Sequence, residues 1–458
     1  MKPEVITLEQ IDRSLHGIIP GVIATCDRNG TPNVSYISQV HVVDAKHVAL
    51  SCQFFNKTRS NLDANPRATI QIYDPITFEA YRLRLRFLRS ETTGELFDAM
   101  AGRILAIASH TGMAGIFKLR SADVFEVLAI ERTEGFRGPL QPDEEMTPHP
   151  DGPVTELRNL QIVSERVNRA RDLESLLSSA LAALDEVFGF THGMILVPDD
   201  TNEKLVTIAT HGYGDESVGA EVKLGDGLIG VVARTRVLQR VSAIEADLRY
   251  GRAIRGQIRE AGGAANLTAE IPLPGLTDAQ SQMAIPLLVR DRLIGVLALE
   301  ARDSVAFSQW HEAFLQVLAN QIASGIDRMS EDDDDDAEPV ALAAPVSVAK
   351  RHSFTYYRND DCVFVDGEYL IRNVPGKILW KVLRAREADK RTEFSNRELR
   401  LDPSLGLPAL KDNLESRLIL LRKRLEQKCP DVAIVPTKRG KFALDVRCEI
   451  ELVERETA

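Results

Sequence analysis

The residues best suited to bind an anionic polymer lie near the C-terminal end of the sequence. Between Leu410 and Leu425, leucines recur every three or four residues and predict the buried side of a helix. Basic side chains lie off that leucine stripe and in the turn that follows: Lys411, Arg417, Arg422, Arg424, Lys438, Arg439 and Lys441. Cations in this arrangement can pair with DNA phosphates and reach base edges. An ordinary amphipathic helix with a solvated basic face would show the same pattern.

A second candidate site follows a predicted strand near residue 50. The strand ends at residues 51–53, Ser-Cys-Gln, and residues 56–58, Asn-Lys-Thr, then open a predicted helix. The exposed N–H groups and the dipole of a helix start attract anions, while Lys57 adds charge and Thr58 a hydroxyl. The pattern indicates a phosphate site, although the same cations can simply solvate a helix start.

Metal and disulfide chemistry have little support in the sequence. The five cysteines are scattered without CxxC spacing and predict reduced thiols: Cys26, Cys52, Cys362, Cys429 and Cys448. The nine histidines form no HExxH motif, so no metal site is predicted. The N-terminus lacks the features of a signal peptide, and no apolar run is long enough for a membrane span. These features predict a cytoplasmic protein without a membrane partner.

Length and charge divide the chain into three segments. A chain of 458 residues suggests about three domains. Two stretches look like linkers: residues 137–153, rich in proline and acidic residues, and residues 331–349, which open with an acidic run expected to stay extended and disordered. The predicted domains are therefore 1–136, 154–330 and 350–458. The net charge is −11, yet residues 350–450 contain 22 Lys and Arg against 15 Asp and Glu, a balance of +7.

The first segment alternates short β-rich runs with turns, which predicts an antiparallel barrel or sandwich. Its order of strand, glycine turn, strand and VALSCQFFNKTRSNLDANPRATIQI resembles the pyridoxamine 5'-phosphate oxidase-like, FMN-binding split barrels. The resemblance implies FMN at a dimer interface, with these cofactor-binding residues: Ser51, Gln53, Lys57, Thr58, Asn61 and Gln71. The family's usual Ser-Arg-Lys is Asn-Lys-Thr at residues 56–58, one cation fewer. A haem, a deazaflavin or an empty pocket therefore stays open, and no catalytic residue is assigned.

The second segment combines helical and β patterns around a glycine-rich motif. A long helix is predicted over 154–189 and a closing helix over 308–329. The motifs GDGLIGVVARTR and MAIPLLVRDRLIGVLALE between them resemble a GAF domain. The resemblance implies an α/β sandwich with a central antiparallel sheet and a small-molecule ligand, which the sequence does not identify. Residues 250–276 are predicted to form a long loop that caps a pocket.

The third segment places the basic helix inside a recognisable order of elements. Asp366-Gly367 predicts a hairpin, a helix follows over 375–386, and Ser395 with Glu398 forms a predicted capping box. Together with the basic helix and the basic hairpin, this order resembles the winged helix-turn-helix domains of response regulators. The resemblance implies a helix in the major groove and a wing on the DNA backbone. Residues 419–420, Ile-Leu, depart from the family's polar face and are predicted to meet another subunit or a polymerase.

The three resemblances together predict a multidomain α+β transcription regulator. A split β-barrel and a GAF domain would sense a redox or small-molecule signal, and a winged helix-turn-helix would bind double-stranded DNA. The protein is predicted to act as a homodimer. The alternative is an FMN-dependent oxidoreductase of the pyridoxamine phosphate oxidase-like class, regulated by its GAF and winged-helix modules.

Overall fold

The structure is a computed structural model and describes most of the chain. The described residues are 6–37, 39–52, 56–133, 152–199, 201–213, 217–263, 265, 267–331, 350–407, 414–438 and 440–456. Residues 137–151 and 332–349 of the predicted linkers lie outside these ranges, as do Gln53, Lys411 and Arg439. Within the described ranges, no helix is both long and apolar enough to cross a membrane.

The chain divides into two units, and each is described by itself. The first unit comprises Met1–Leu160, Val222–Pro286 and Ala298–Val317. The second comprises Gln161–Glu221, Leu287–Leu297 and Leu318–Ala458.

A seven-stranded sheet forms the main part of the first unit. Its strands are β1 (Gly21–Cys26), β2 (Pro32–Ile37), β3 (His41–Asp44), β4 (His47–Cys52), β5 (Arg67–Tyr73), β6 (Ala80–Glu91) and β7 (Ser121–Thr133), in the order β2-β1-β5-β6-β7-β4-β3. Neighbouring strands run antiparallel. Alternate side chains such as Ile70, Leu83 and Leu85 are buried in one core, while Arg84 between them is exposed. The antiparallel sheet predicted for this segment is confirmed.

Three helices accompany this sheet: α1 (Asp12–Leu15), α2 (Asn56–Ala64) and α3 (Glu95–His110). Helix α2 packs on β1 and β2, and α3 packs on β7. The unit also contains α6 (Gly227–Thr235), β11 (Gln239–Val241) and α7 (Ile244–Glu260). The predicted loop over residues 250–276 is therefore wrong for its first part, because α7 continues to Glu260. A Cβ on Gly251 would lie 2.6 Å from Cγ2 of Thr111, so this glycine permits close helix packing rather than a loop.

The predicted helix over residues 154–189 is two helices, α4 (Gly152–Arg169) and α5 (Leu173–Phe188). The helical run is interrupted at Asp172, because its carboxylate accepts a hydrogen bond of 2.8 Å from the backbone N–H of Ser175 and so caps a new helix. The hydroxyl of Ser175 accepts in return from the backbone N–H of Asp172 at 3.3 Å. This reciprocal capping box fixes a new helix start.

A six-stranded sheet follows in the chain, in the order β10-β9-β8-β13-β12-β11. Its other strands are β8 (His192–Pro198), β9 (Lys204–His211), β10 (Glu221–Lys223), β12 (Ser281–Val289) and β13 (Arg292–Ala301). Pairing of β8 with β9 and of β11 with β12 is antiparallel, as predicted. The closing helix predicted over 308–329 is confirmed as α8 (Gln309–Glu331).

The C-terminal segment contains two small sheets around three helices. The elements are β14 (Arg351–Tyr357), β15 (Cys362–Val365), β16 (Glu368–Ile371), α9 (Asn373–Asp389), β17 (Glu393–Ser395), α10 (Asn396–Arg400), α11 (Leu414–Lys428), β18 (Val432–Lys438), β19 (Lys441–Val446) and β20 (Glu449–Arg455). The sheet orders are β16-β15-β14-β20 and β17-β19-β18. The predicted hairpin at Asp366-Gly367 is confirmed, and both residues have positive φ, as this turn requires.

A histidine between two carboxylates links β14 to other parts of this segment. Nε2 of His352 lies 3.1 Å from Oδ2 of Asp431, and its Nδ1 contacts the carboxylate of Asp366. Hydrogen bonds to these carboxylates raise the pKa of His352 above its usual value of about 6.5.

Because the folded state holds the proton more tightly, His352 stabilises the fold below pH 6.5, and this contribution is lost as the pH rises through the folded pKa. We therefore expect His352→Gln to lower the melting temperature more at pH 5.5 than at pH 8.5. Thermal unfolding followed by circular dichroism checks this. The same substitution at the half-buried His47, which pairs with one carboxylate, that of Asp44, is the control. An equal loss at both pH values for His352→Gln would contradict the expectation.

Candidate functional site

A polar cluster surrounds the first turn of α2, where the sequence predicts a phosphate site. Thr58 is buried, and its hydroxyl accepts a hydrogen bond of 2.9 Å from Nδ2 of Asn33. The hydroxyl of Ser35 lies 3.2 Å from the same oxygen. Lys57 is exposed beside them. The helix start therefore combines one exposed cation with fixed amide and hydroxyl groups.

Asn33 and Ser35 were not predicted as site residues. They occupy alternate positions of β2, so both side chains leave the strand on the same face. Strand alternation in the sequence NVSYI is the signal that would have found them.

The other predicted cofactor residues have different surroundings. Asn61 is buried and donates from Nδ2 to the hydroxyl of Thr25 at 3.2 Å. Gln71 donates from Nε2 to the hydroxyl of Thr133 at 2.9 Å. Ser51 lines a cavity beside α3. The structure therefore places only part of the predicted set at the start of α2.

The next cation of α2, Arg59, has a structural role. Its Nη1 donates to Oδ1 of the buried Asp123 at 3.1 Å, and its guanidinium lies 4.8 Å from the ring centre of Phe87. Lys57 is thus the cation of the first turn of α2 that remains open to solvent. With the amide of Asn33 and the hydroxyl of Ser35, the donor set fits a phosphate group.

The C-terminal end of α3 makes hydrogen bonds to two other stretches of the first unit. The backbone N–H of Gly227, at the start of α6, donates to the hydroxyl of Ser109 at 2.9 Å. Nδ1 of His110 lies 2.9 Å from the carbonyl oxygen of Ile271. Gly227 has a φ of +59°, and a Cβ there would lie 2.9 Å from Cε1 of His110. Only glycine fits this close approach to α3 without a shift.

Arg255 of α7 fastens the turn that follows α3. Its Nη1 lies within hydrogen-bonding distance of three carbonyl oxygens, those of Thr111 at 3.1 Å, Gly112 at 3.0 Å and Thr268 at 2.8 Å. The backbone N–H of Thr268 also donates to the carbonyl of Gly112 at 3.1 Å. One cation therefore satisfies carbonyl groups from two separate stretches of chain. The turn after α3 is therefore tied to α7 and to the stretch around Thr268.

Helix α11 is the element for which DNA contacts were predicted. The described leucines of its stripe, Leu414, Leu418, Leu421 and Leu425, are buried in the core of the C-terminal segment. The prediction that the leucine side of this helix is buried is therefore confirmed. Ser395 also caps α10 as predicted, because its hydroxyl accepts from the backbone N–H of Glu398 at 3.3 Å.

The predicted DNA-binding cations of α11 contact residues of the same unit. Nη1 of Arg422 donates to Oε2 of Glu174 at 2.8 Å, and only 15% of the Arg422 side chain is exposed. Nζ of Lys423 lies 3.5 Å from the same carboxylate. A Cβ on Gly219 would lie 2.6 Å from Nη2 of Arg424, so this guanidinium lies against the backbone there. In this arrangement, Arg422 and Arg424 face protein.

A second ion pair also joins the C-terminal segment to the segment that precedes it. Nη2 of Arg372 donates to both carboxylate oxygens of Glu221 at 2.6 Å. Hydrogen bonding by Arg372 and Lys204 lowers the pKa of Glu221 despite its partial burial. Neither Glu174 nor Glu221 was predicted as a site residue. The sequence carries no signal for these two contacts, because Arg422 lies 248 residues from Glu174 and Arg372 lies 151 residues from Glu221.

The apolar pair Ile419 and Leu420 also has partners within this unit. Ile419 is buried, and Leu420 borders a cavity of about 80 Å³ together with Val206 and Ile208 of β9. Arg417 and Arg424 border the same cavity. The departure from a polar helix face thus has a physical reason: this side of α11 packs on the strands of the preceding segment. Contact of this pair with another subunit or a polymerase stays a prediction.

The predicted wing is the hairpin of β18 and β19. Lys438 and Lys441 are paired across its tip, and the side chain of Lys441 is exposed. The position of Arg439 at the tip lies outside the described residues, and so does Lys411 before α11. Among the predicted DNA contacts whose side chains are described, Lys441 is exposed to solvent.

Family comparisons cover the first two segments. Residues 7–131 match the pyridoxamine 5'-phosphate oxidase family, and residues 170–327 match the GAF domain family. No curated protein matches the chain.

Three solved structures with similarity to the chain are each less than 25% identical to it. The GAF domain of an Acinetobacter phosphoenolpyruvate-protein phosphotransferase is 21% identical, with 37% of this chain and 91% of that one covered and a TM-score of 0.31. An FMN-binding protein from Syntrophomonas wolfei is also 21% identical, with 28% and 88% covered and a TM-score of 0.24. Free methionine-R-sulfoxide reductase from Neisseria meningitidis is 16% identical, with 39% and 94% covered and a TM-score of 0.31.

The two family matches fall on the two sheets described above. The first match ends within β7, and the second begins before α5 and ends within α8. The chain therefore combines a pyridoxamine 5'-phosphate oxidase-like N-terminal domain with a GAF domain, followed by a C-terminal segment that lies outside both matches.

Proposed function

We propose that the protein is a one-component transcription regulator, in which the N-terminal and GAF domains sense a signal and residues 350–458 bind DNA. The observation that carries this proposal is the C-terminal arrangement itself. Helix α11 buries its leucines, a basic hairpin follows it, and residues 350–450 have a balance of +7 in a chain of net charge −11. A helix and a wing with this charge suit the major groove and the adjacent phosphates.

We propose that the contact between α11 and Glu174 regulates DNA binding. Arg422 and Arg424 contribute to DNA binding only after they leave Glu174 and Gly219. The arrangement described above is then the form with low affinity for DNA. A signal that favours separation of these residues raises the affinity, because only the separated population is competent to bind.

FMN is the cofactor that we propose for the N-terminal domain. Lys57, Asn33 and Ser35 at the start of α2 would hold its phosphate, and Thr58 would keep the amide and the hydroxyl of β2 in place. The bound flavin would supply a redox response. The domain would bind FMN as a homodimer. Val34 and Tyr36 on the edge strand β2 are exposed apolar side chains, and this supports an interface with a second subunit at that edge.

A flavin-dependent oxidoreductase is the second candidate function. The match of residues 7–131 to the pyridoxamine 5'-phosphate oxidase family favours it. Rapid turnover of a reduced nicotinamide or of pyridoxamine phosphate by a yellow purified chain would support this candidate over a sensor.

A wing variant tests the proposed DNA contact. We expect Lys441→Ala in the full chain to weaken DNA binding about three- to tenfold and to lower the salt dependence by about one phosphate contact. Fluorescence anisotropy with a labelled duplex, titrated at several salt concentrations, measures both. Arg351→Ala is the matched control, because Arg351 is an exposed cation of β14 in the same segment. Equal affinities for the Lys441 variant and the unmodified chain would refute a role for the wing.

A further inference from the structure

A cavity with both apolar and polar walls lies in the second unit, between helix α11 and strands β8 and β9. Its volume is about 80 Å³, which is room for a few water molecules or for part of a small organic molecule. The cavity opens to solvent beside Tyr369 of β16, which is 44% exposed. A ligand larger than the enclosed space can therefore project from it.

Two apolar surfaces face each other across this cavity. Val206 and Ile208 occupy alternate positions of β9, so both side chains leave the strand on one face. Leu420 of α11 lies on the opposite wall, and Val197 of β8 and Ile371 of β16 also line the space. A slot between a strand and a helix suits a flat apolar body such as an aromatic ring.

A buried hydroxyl on the wall lacks a hydrogen-bond partner. Ser416 of α11 is 3% exposed, and its Oγ makes no hydrogen bond within the described part of the chain. Ser416, Leu420 and Arg424 follow one another at intervals of four residues, so they share one side of the helix. Buried polar groups are normally paired, and an unpaired hydroxyl on a cavity wall therefore points to a polar atom of a ligand.

The charges on the wall are mostly engaged by the protein itself. The charged side chains on the described wall are Asp199, Glu221, Arg372, Arg417 and Arg424. Glu221 accepts both of its hydrogen bonds from Arg372 at 2.6 Å, and the carboxylate of Asp199 accepts bonds of 3.1 and 3.2 Å from backbone N–H groups of its own turn. Among the described residues, Arg424 donates to Oε1 of Gln427 at 3.5 Å and pairs with no carboxylate. Its guanidinium is therefore able to take a carboxylate from a ligand.

We propose that this cavity binds a small aromatic carboxylic acid, with its carboxylate on Arg424 and its ring between Leu420 and β9. A guanidinium presents paired N–H donors that match the two oxygens of a carboxylate. The hydroxyl of Ser416 would bind a second polar group at the far end of the ring. Eight residues of helix rise about 12 Å, and a long side chain on a helix leans toward its N-terminus, so a ring with polar groups at opposite ends can span the remaining distance.

Occupation of the cavity would stabilise the arrangement in which α11 packs on β9, because the ligand contacts both elements at once. The consequence for DNA rests on the proposed function, in which Arg422 and Arg424 bind DNA only after α11 separates from Glu174. The acid should therefore lower the affinity for DNA, by about tenfold at ten times its own dissociation constant.

Calorimetric titration of the full chain without DNA tests the site, with benzoate, 4-hydroxybenzoate and the neutral benzamide as probes. We expect saturable binding of both acids, tighter for 4-hydroxybenzoate, and binding about tenfold weaker for benzamide. Arg424→Gln should weaken the binding of both acids by about tenfold. Ser416→Ala should weaken the binding of 4-hydroxybenzoate about three- to tenfold. Its melting temperature should not fall, because the hydroxyl has no partner to lose within the described residues.

Arg447→Gln is the matched control, because it removes a half-exposed cation of the same segment that pairs with Asp445 away from the cavity wall. This variant should keep the affinity for both acids within about twofold. Circular dichroism melting establishes that each variant is folded. If neither acid binds at concentrations up to about 10 mM, or if folded Ser416→Ala and Arg424→Gln bind both acids as tightly as the unmodified chain, the site is overturned.

Anisotropy titration of a labelled duplex in the presence of the tighter acid measures the effect on DNA separately. A DNA affinity that falls as the acid saturates the chain supports both the site and its regulatory role. Saturable binding of the acid with an unchanged DNA affinity supports the site and overturns the regulatory role. A chain that binds DNA but neither acid overturns the site and leaves the proposed function intact.

Discussion

Glu174→Gln should raise the affinity of the full chain for DNA by about five- to tenfold. The carboxylate of Glu174 accepts a hydrogen bond from Arg422 and lies near Lys423, so it competes with DNA phosphates for both cations. A partly exposed ion pair of this kind contributes about 1 kcal/mol, and a tenfold change in affinity corresponds to about 1.4 kcal/mol. Glutamine keeps the size and removes the charge. Anisotropy titrations at constant salt measure the change.

A second glutamate on the same helix is the control for this prediction. Glu186 near the end of α5 pairs with Arg166 at 2.6 Å, away from α11. Glu186→Gln removes the same charge from the same helix and should leave DNA affinity within twofold. Adding Glu221→Gln, which breaks the contact with Arg372, should raise the affinity of Glu174→Gln further. Equal gains from the Glu186 and Glu174 variants would mean that charge in general, not release of α11, determines affinity.

Arg255→Met should lower the free energy of unfolding of the first unit by about 2–4 kcal/mol. The substitution keeps an apolar side chain of similar length but leaves three carbonyl oxygens without their cationic donor. Loss of hydrogen bonds to a largely buried charged group typically costs this much in total. The carbonyl of Gly112 keeps the bond from Thr268, which limits the loss.

Tryptophan fluorescence can report this loss. The chain has two tryptophans, Trp310 in the first unit and Trp380 in the second. In a Trp380→Phe background, urea unfolding followed by fluorescence therefore reports the loss of structure around Trp310. Arg252→Met, one turn earlier on α7 and 57% exposed, should change the midpoint little. Indistinguishable midpoints for the two variants would show that the Arg255 contacts do not hold α3 to α7.

Local sequence rules predicted elements whose causes lie within a few residues. The turn at Asp366-Gly367 depends on two residues that tolerate positive φ, and the cap of α10 depends on Ser395. The leucine stripe of α11 was predictable because its period matches a helix with one buried side. Each of these features is decided by backbone preference and side-chain period.

The features that sequence did not predict depend on distant contacts. Helix α7 contains Gly251, which lowers helix propensity, but the glycine allows the helix to pack closely on Thr111. The break at Asp172 required a choice between one long helix and two capped ones, and the Asp172–Ser175 capping box decides it. The apolar pair 419–420 had no local explanation, because its partners are strands about two hundred residues earlier.

The candidate site at α2 also depends on contacts between residues that are distant in the sequence. The family resemblance identified Lys57 and Thr58, which the structure places with polar groups of β2. It did not identify Asn33 and Ser35, because strand pairing, not sequence distance, brings them to the helix. The resemblance also did not show that Ser51 lies away from the start of α2, on the wall of the cavity beside α3.

DNA binding by residues 350–458 is tested most directly by selection from a random DNA pool with the full chain carrying Glu174→Gln, because in this variant the α11 contact cannot hide the activity. We predict enrichment of paired half-sites about ten base pairs apart or a multiple of that spacing. The selected duplex should bind with an affinity that falls steeply as salt increases. If this variant enriches no sequence and binds no duplex at 50 mM salt, residues 350–458 are not a DNA-binding module.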